Sequence, residues 1–474
     1  MPVATIIGIV IALLSIASAG HALLAKRDPR ASLGWVAVCL FLLPPAGVLL
    51  YWLFGVNRIH TRAQRWQQRG AWLLAPDVGR LYRTAQPELP ATLKEDAAAM
   101  LALSDRVTGR PALGGNRVVM LHNGEETYPA MLAAIEVARR SVYLCTYIFD
   151  TDASGRRVIE ALRAALARGV DVRVLVDGMG ALYSWPPVLG RLRRAGIRAA
   201  KFLPMHRGIH LNLRNHRKLL IVDCATGFTG GMNIGDRHLA MNEANPRRVV
   251  DLHFQVDGPV VMQMEEVFLE DWHFATGDAS PAPPPPHPPA AGHAYCRGIS
   301  DGPNHDFEML RWVIIGVISA ARTSVRIMTP YFIPDQALLS ALTAAAFRGV
   351  AIDIILPQRN NLPYVAWATR ALLWELLQRG IRISYQPPPF VHSKLLLVDR
   401  VYALVGSANL DPRSLRLNFE FNLEIYDHAT VAAIQHHFES VRARSRPDTL
   451  AEVDGRSLPV KLRDAAAKLF APYL

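Results

Sequence analysis

Two nine-residue stretches carry the residues able to do chemistry, NHRKLLIVD at 215–223 and VHSKLLLVD at 391–399. Each sets a His, a Lys two residues on and an Asp five beyond that, and the copies lie 176 positions apart. Only 7 of the 52 basic residues are Lys, and there are 16 His. Chance placement of those residues gives about 0.01 copies of H-x-K-x4-D. A lone His or Lys would read as a solvated surface residue, and the doubling removes that reading. Six residues separate each Asp from a small-residue turn ending in Asn, GGMN at 230–233 and GSAN at 406–409. Glycine there permits a tight turn and a close approach of backbone amides to an anion.

On a strand, residues two apart share a face, so His216 projects with Lys218, and His392 with Lys394. Asp223 and Asp399 are an odd number of steps away and are expected to fix the strand ends. If the two copies meet, one pocket holds two imidazoles, two ammonium groups and the carboxamides of Asn233 and Asn409. The Lys and Asn groups form a charge-assisted cradle for one phosphate. One neutral imidazole can attack phosphorus to give a phosphohistidine, while the other protonates the departing alkoxide and later deprotonates an entering alcohol or water. Such a mechanism needs no metal and no cofactor. The other pair of His, in MHRGIH at 205–210, follows a Pro and has no carboxylate to complete a zinc set.

The elements that position these residues are also duplicated. ARRSVYLCTYIFDTD (138–152) and ARGVDVRVLVDG (167–178) correspond to ARTSVRIMTPYFIPD (321–335) and FRGVAIDIILPQ (347–358). Each half opens with an amphipathic helix, 128–140 or 307–322, followed by a β-branched strand. A second helix leads through an R-G-V turn to another strand. A third helix ends in Gly ahead of a third strand, and the motif strand follows. Motif strands apolar on both faces are expected at the centre of a sheet covered by helices. The organisation expected is α/β, two duplicated sheet domains with flanking helices, at 107–278 and 295–474. A Pro-rich linker at 279–294 separates them, and a helical connector at 58–106 precedes them.

The remaining residues, 1–57, read as a two-helix membrane hairpin. The run 3–25 is apolar apart from His21 and small hydroxyl residues, about long enough to cross a bilayer. KRDPR at 26–30 interrupts it, and a second run at 33–54 follows, with Trp35, Tyr51 and Trp52 near its ends where interfacial aromatics sit. A cleavable signal peptide is disfavoured by the absence of a basic leading segment and by the length of the run. Arg58, Arg62, Arg65 and Arg69 slightly outnumber the charges of the short loop, which favours cytoplasmic catalytic domains. A net charge of +12 points to an anionic partner, either nucleic acid or a negatively charged membrane, and the hairpin favours the membrane. The four Cys have no metal-type spacing and are expected to be reduced packing residues. Trp367 and Trp374 on one helix are read as packing against a sheet.

The doubled motif resembles that of the phospholipase D superfamily, H-x-K-x4-D-x6-G-[SG]-x-N in two copies. The apolar segment at 33–58, with LRNHRKLLIVD, TGGMNIGD, DLHFQVDGPVV and GSANLDPRSLRLNFEFNLEIYD, is similar to blocks of its bacterial cardiolipin synthase branch. The resemblance spans nearly the whole chain. It implies that His216 is the nucleophile and His392 the general acid and base, with Lys218, Lys394, Asn233 and Asn409 binding phosphate. It implies that Asp251 and Glu420 orient the imidazoles, and that Asp223 and Asp399 support them. Gly231 departs from the Ser that many members carry. The implied reaction joins two phosphatidylglycerol molecules to give cardiolipin and glycerol at the bacterial inner membrane. Hydrolysis would use the same residues, a nuclease would suit a basic chain, and a membrane scaffold would tolerate the loss of a motif His, although both motifs are complete.

Overall fold

The computed structural model describes residues 2–26, 29–42, 44–55, 90–203, 213–278, 288–303 and 306–470. They fall into two compact units, one within Met1–Ala71 and one within Trp72–Leu474.

In the first unit, helix Val3–Ala25 turns its large apolar side chains outward and packs Ser15, Ser18, Ala19 and Ala22 inward. A soluble helix does the reverse; small residues inside and leucines outside suit association in lipid. At about 1.5 Å per residue its 23 residues can cross a bilayer. The expected second span is not one helix. It divides into Pro29–Phe41, Pro44–Leu50 and a π-helical turn, Tyr51–Gly55. The break falls at Pro44-Pro45, where proline removes N–H donors and crowds the preceding turn. The return segment is tied back by Trp52 Nε1 donating to Ser18 Oγ at 2.9 Å and by His21 Nδ1 against Tyr51 Oη at 2.6 Å. Tyr51, expected at the interface, is buried inside this unit.

The second unit is organised by one continuous sheet. Its first half contributes β1 (Leu113–His122), β2 (Ser141–Thr146), β3 (Asp171–Asp177), β4 (Arg198–Phe202), β5 (Leu219–Val222), β6 (Thr226–Gly230), β7 (Val249–Val250) and β8 (Leu252–Asp257). The second contributes β9 (Ala294–Asp301), β10 (Ser324–Met328), β11 (Ala351–Pro357), β12 (Arg382–Gln386), β13 (Phe390–Val391), β14 (Leu395–Val398), β15 (Tyr402–Gly406), β16 (Glu420–Tyr426) and β17 (Arg446–Pro447). The order β17-β12-β11-β10-β14-β15-β16-β9-β1-β8-β6-β5-β2-β3-β4 is pseudo-symmetric about the β9–β1 pair. The two expected domains are therefore halves of a single fifteen-stranded sheet. The opening strands β1 and β9, absent from the sequence reading, make the join. Within each half three strands run parallel, and the motif strand, β5 or β14, lies antiparallel to the first of them. Both motif strands are buried along their whole length, as expected of strands covered on both faces.

Local sequence explains the repeated connections. Asp152 and Asp335 cap the helices Ala153–Ala167 and Gln336–Phe347 by accepting from Gly155 N at 3.0 Å and Leu338 N at 2.9 Å. Those helices end at the R-G-V turns, where Gly169 and Gly349 take φ of 87° and 86°, a conformation that costs a side-chain-bearing residue strain.

The expected connector overlaps helix Ala91–Thr108; residues 56–89 lie outside the described residues. That helix is not a spacer. Leu93, Ala97, Met100 and Leu101 sit in the core of the second half, and Ser104 donates to Glu424 at 2.8 Å. The Pro-rich segment 279–287 is likewise outside the described residues, and β9 begins at Ala294, inside the expected linker. Trp374 is exposed and Trp367 half-buried with the Arg463 guanidinium 4.7 Å above its ring, so neither packs on the sheet as expected. All four Cys are free and buried.

Candidate active site

Both motifs reach the same edge of the sheet. Leu219 pairs with Cys145 near the C-terminal end of β2, and Leu395 pairs with Met328 at the C-terminal end of β10. The residues just ahead, His216 to Lys218 and His392 to Lys394, thus stand at the edge where the parallel strands end. Binding sites of open α/β sheets form at this edge.

The halves interlock at that point. His216 N donates to Phe419 O at 2.8 Å, and Phe419 N to Arg214 O at 2.8 Å. In the mirror arrangement β13 pairs with β7, and His392 N donates to Val250 O at 2.8 Å. Phe419 and Val250 immediately precede Glu420 and Asp251. Each half therefore delivers a carboxylate to the other half's imidazole. Glu420 Oε2 lies 3.1 Å from His216 Nδ1, and Asp251 Oδ2 lies 2.9 Å from His392 Nδ1. With Nδ1 engaged, Nε2 is the reactive atom of each ring. The ring centroids are 6.4 Å apart and edge-on. Exposure of the side chains is 12% and 11%, so the rings are reached through a narrow mouth.

The electrostatics follow from burial. Burial lowers the pKa of His216, against the opposing pull of Glu420. Burial and Lys394 push His392 down to about 4. Both rings are neutral near pH 7, as a nucleophile requires. Burial takes Lys218 down to about 7 and Lys394 to about 8. Burial pushes the Asp251 carboxyl upward, but His392, Lys394 and His238 outweigh it and hold it well below the carboxylate range. For Glu420, burial is likewise overcome by His216, Lys218 and the Ser407 hydroxyl. The ammonium groups are oriented by their own loops: Lys218 Nζ donates to His216 O at 2.6 Å, and Lys394 Nζ to His392 O. An entering phosphodiester anion favours every protonated form here, so that an imidazole can take up a proton from solvent once the anion is bound.

The two Asn residues differ. Asn233 Oδ1 accepts from Ile148 N at 3.0 Å, and Nδ2 has no partner among the described residues. Asn409 donates Nδ2 to Ser414 Oγ at 3.2 Å. Each Nδ2 thus keeps at least one N–H that no described residue takes, and Asn409 Oδ1 is buried without a partner. Asp223 and Asp399, grouped with the reacting residues on sequence grounds, stand at the far ends of β5 and β14. Asp223 accepts from the backbone N of Arg139, Arg140 and Ser141 at 2.8–2.9 Å, and Asp399 from Thr323 and Ser324 at 2.8 and 2.9 Å. They cap strand ends, as their odd spacing requires, and do not touch the reacting groups.

Several residues escaped the sequence reading. Ser407 Oγ donates to Glu420 Oε2 at 2.5 Å; its signal was the GSAN turn itself, read only as backbone. The first half has Gly231 there, and a Cβ on it would lie 2.2 Å from Asp251 Oδ1. A short carboxylate against glycine thus matches a longer one against serine. Tyr147 lies beside His216 at 5.4 Å and Tyr331 beside His392 at 6.3 Å. Buried His238 accepts from Asn233 N at 3.2 Å. Among the described residues no group of three or more His, Cys, Asp or Glu side chains is arranged to hold a metal ion, and Met205 to His210 lie outside those residues.

A duplicated α/β sheet that brings two H-x-K motifs to one pocket defines the phospholipase D-like class. Residues 131–272 and 314–442 match the family described as cardiolipin synthase, PLD-like domain, and 7–55 match the phospholipase D-nuclease N-terminal family. The chain is 32% identical to a cardiolipin synthase of Oceanobacillus iheyensis, covering 95% of each. It is 32% identical to the major cardiolipin synthase of Bacillus subtilis, again with 95% of each covered. It is also 32% identical to cardiolipin synthase A of Pseudomonas entomophila, covering 98% of this chain and 96% of that one. A phosphatidylserine synthase of Haemophilus influenzae shares the fold, with TM-score 0.60 and 15% identity over 80% of this chain and all of that one. The chain belongs to the cardiolipin synthase family and is a membrane-attached phosphatidyltransferase.

Proposed function

We propose that this enzyme joins two phosphatidylglycerol molecules. His216 Nε2 attacks the phosphorus of the first, the bond from phosphorus to the glycerol headgroup oxygen breaks, and His392 gives that oxygen its proton. The phosphatidyl group then rests on His216. The primary hydroxyl of a second phosphatidylglycerol loses its proton to His392, its oxygen attacks phosphorus, and the P–N bond breaks. The products are cardiolipin and glycerol, and both rings return to their starting state. Lys218, Lys394 and Asn233 hold the phosphoryl oxygens throughout.

The observation that carries this reading is the exchange of carboxylates: two imidazoles 6.4 Å apart, each with Nδ1 held by the opposite half and Nε2 unpartnered among the described residues. One ring can attack while the other serves the leaving group. His216 is assigned as the nucleophile and His392 as the acid and base on the resemblance of the two motifs to those of the family. The chain sits in the bacterial inner membrane as a multi-pass protein with cytoplasmic catalytic halves, a reading supported by the returning helices of the first unit and by the Arg residues at 58–69.

Purified protein fed phosphatidylglycerol, then phosphatidylethanolamine, in mixed micelles tests this by mass spectrometry of the products. Cardiolipin with released glycerol is expected; phosphatidic acid as the main product would make water the acceptor. Wild-type enzyme denatured at neutral pH in detergent during turnover should carry a phosphatidyl group on His216, and His216→Ala enzyme should carry none.

A further inference from the structure

The exposed apolar surface of the second unit includes a cluster at the edge that carries the active site. The loop at 178–187 leaves the C-terminal end of β3, and its Leu182, Tyr183 and Trp185 are 62%, 61% and 87% exposed. It connects directly to the reacting groups. The Tyr183 ring is 6.4 Å from that of Tyr147, which is 5.4 Å from His216. Asp177 accepts from Met179 N and Gly180 N at 2.9 Å and from Asn215 N at 2.8 Å, so one carboxylate anchors the loop and the residue before His216. Ser184 Oγ donates to Phe149 O, and Thr151 Oγ1 to Pro186 O at 3.1 Å.

The second half shows that the fold does not need these side chains. Its equivalent loop, 358–362, starts the same way: Gln358 N donates to Gln386 O at 2.8 Å, as Gly178 N does to Phe202 O at 2.8 Å. That loop is polar and closes on itself and on the site wall, with Asn360 Nδ2 donating to Pro330 O at 2.9 Å and Tyr331 Oη to Asn361 Oδ1 at 2.8 Å. The chain after the first-half loop is one-signed as well. Residues 178–202 contain Arg191, Arg193, Arg194, Arg198 and Lys201 and no acidic residue. Arg193 and Lys201 line one cleft with Leu182 and Pro187, which places these cations beside the apolar tip.

Aromatic and aliphatic tips flanked by cations match the boundary between anionic headgroups and acyl chains. We propose that the 178–187 loop seats the first-half side of the active-site mouth on an anionic lipid surface. Leu182, Tyr183 and Trp185 enter the acyl boundary, and Arg191, Arg193 and Lys201 rest on headgroups. This deepens the phosphatidyl-transfer reading, because a lipid phosphodiester then reaches His216 without leaving the interface.

The test places one cysteine on the full-length protein. The four native thiols are buried, so an environment-sensitive probe on Trp185→Cys labels that position alone. The control is Phe347→Cys, at the R-G-V turn on the opposite edge of the sheet. In nanodiscs of phosphatidylglycerol and phosphatidylcholine carrying brominated acyl chains, the probe at 185 should shift to the blue and lose at least half its emission. The probe at 347 should do neither. No quenching at 185 at any phosphatidylglycerol fraction, or equal quenching at both positions, overturns the proposal. The probe reports depth and not turnover, so the same measurement in the His216→Ala background separates a failure of docking from a failure of the transfer chemistry.

Discussion

Burial leaves Lys218 only about half protonated at pH 7, and replacing it with Met should stabilise the resting enzyme while disabling it. Its pKa falls from 10.5 to about 7, with burial the larger cause and Lys394 adding to it. Between those values the unfolded chain holds the extra proton, so folding is penalised at pH 7 by on the order of 4 kcal/mol. Methionine escapes that penalty and gives up the 2.6 Å bond to His216 O, worth about 1 kcal/mol. The net gain is roughly 3 kcal/mol, or a rise of a few degrees in Tm for a body of this size. The pH dependence carries the sign. Because the folded pKa lies below the unfolded one, wild-type stability rises with pH from about 7 to 10.5. The Lys218→Met enzyme should show a shallower rise, the remainder belonging to Lys394. Activity should drop by a factor of about 10² to 10³, the loss typical when one preorganised donor to a developing oxyanion is removed. Thermal melts in detergent at pH 7, 8.5 and 10, with transfer rates on the same samples, read both quantities. A Lys218→Met enzyme that melts below wild type at pH 7 with an unchanged pH slope would refute the reasoning.

The exchanged carboxylates predict that Asp251→Asn and Glu420→Gln each lower kcat by about 10² to 10⁴ with little change in KM, since each leaves the opposite half's imidazole without its anion; an unchanged kcat in both would remove the orienting role. Asp223→Ala strips the acceptor from three backbone N–H groups and should cost about 2–4 kcal/mol in a melt, while kcat per folded molecule holds. Gly231→Ser places a Cβ 2.2 Å from Asp251 Oδ1 and should cut kcat at least tenfold. Adding Asp251→Glu recreates the Ser407–Glu420 pairing of the second half, so partial recovery in the double variant is expected from steady-state rates.

The sequence alone singled out the candidate reacting residues and the strand faces on which they stand. His and Lys two apart must share a strand face, an Asp at odd spacing must turn away, and a doubled apolar motif must lie in a covered sheet. These follow from a period of two residues, which any strand obeys. The first apolar helix and the R-G-V turns were equally legible, because helix length and left-handed glycine are local properties. Tertiary structure decided the rest. That Asp251 serves His392 and Glu420 serves His216 depends on residues 141 and 204 positions apart, brought together only when β1 pairs with β9 and closes the halves into one sheet. Tertiary packing also sets the connector helix into the second-half core. Spacing along a chain fixes which way a side chain points. It carries no information about what stands opposite, and in this enzyme the opposite half supplies the anion that makes each histidine useful.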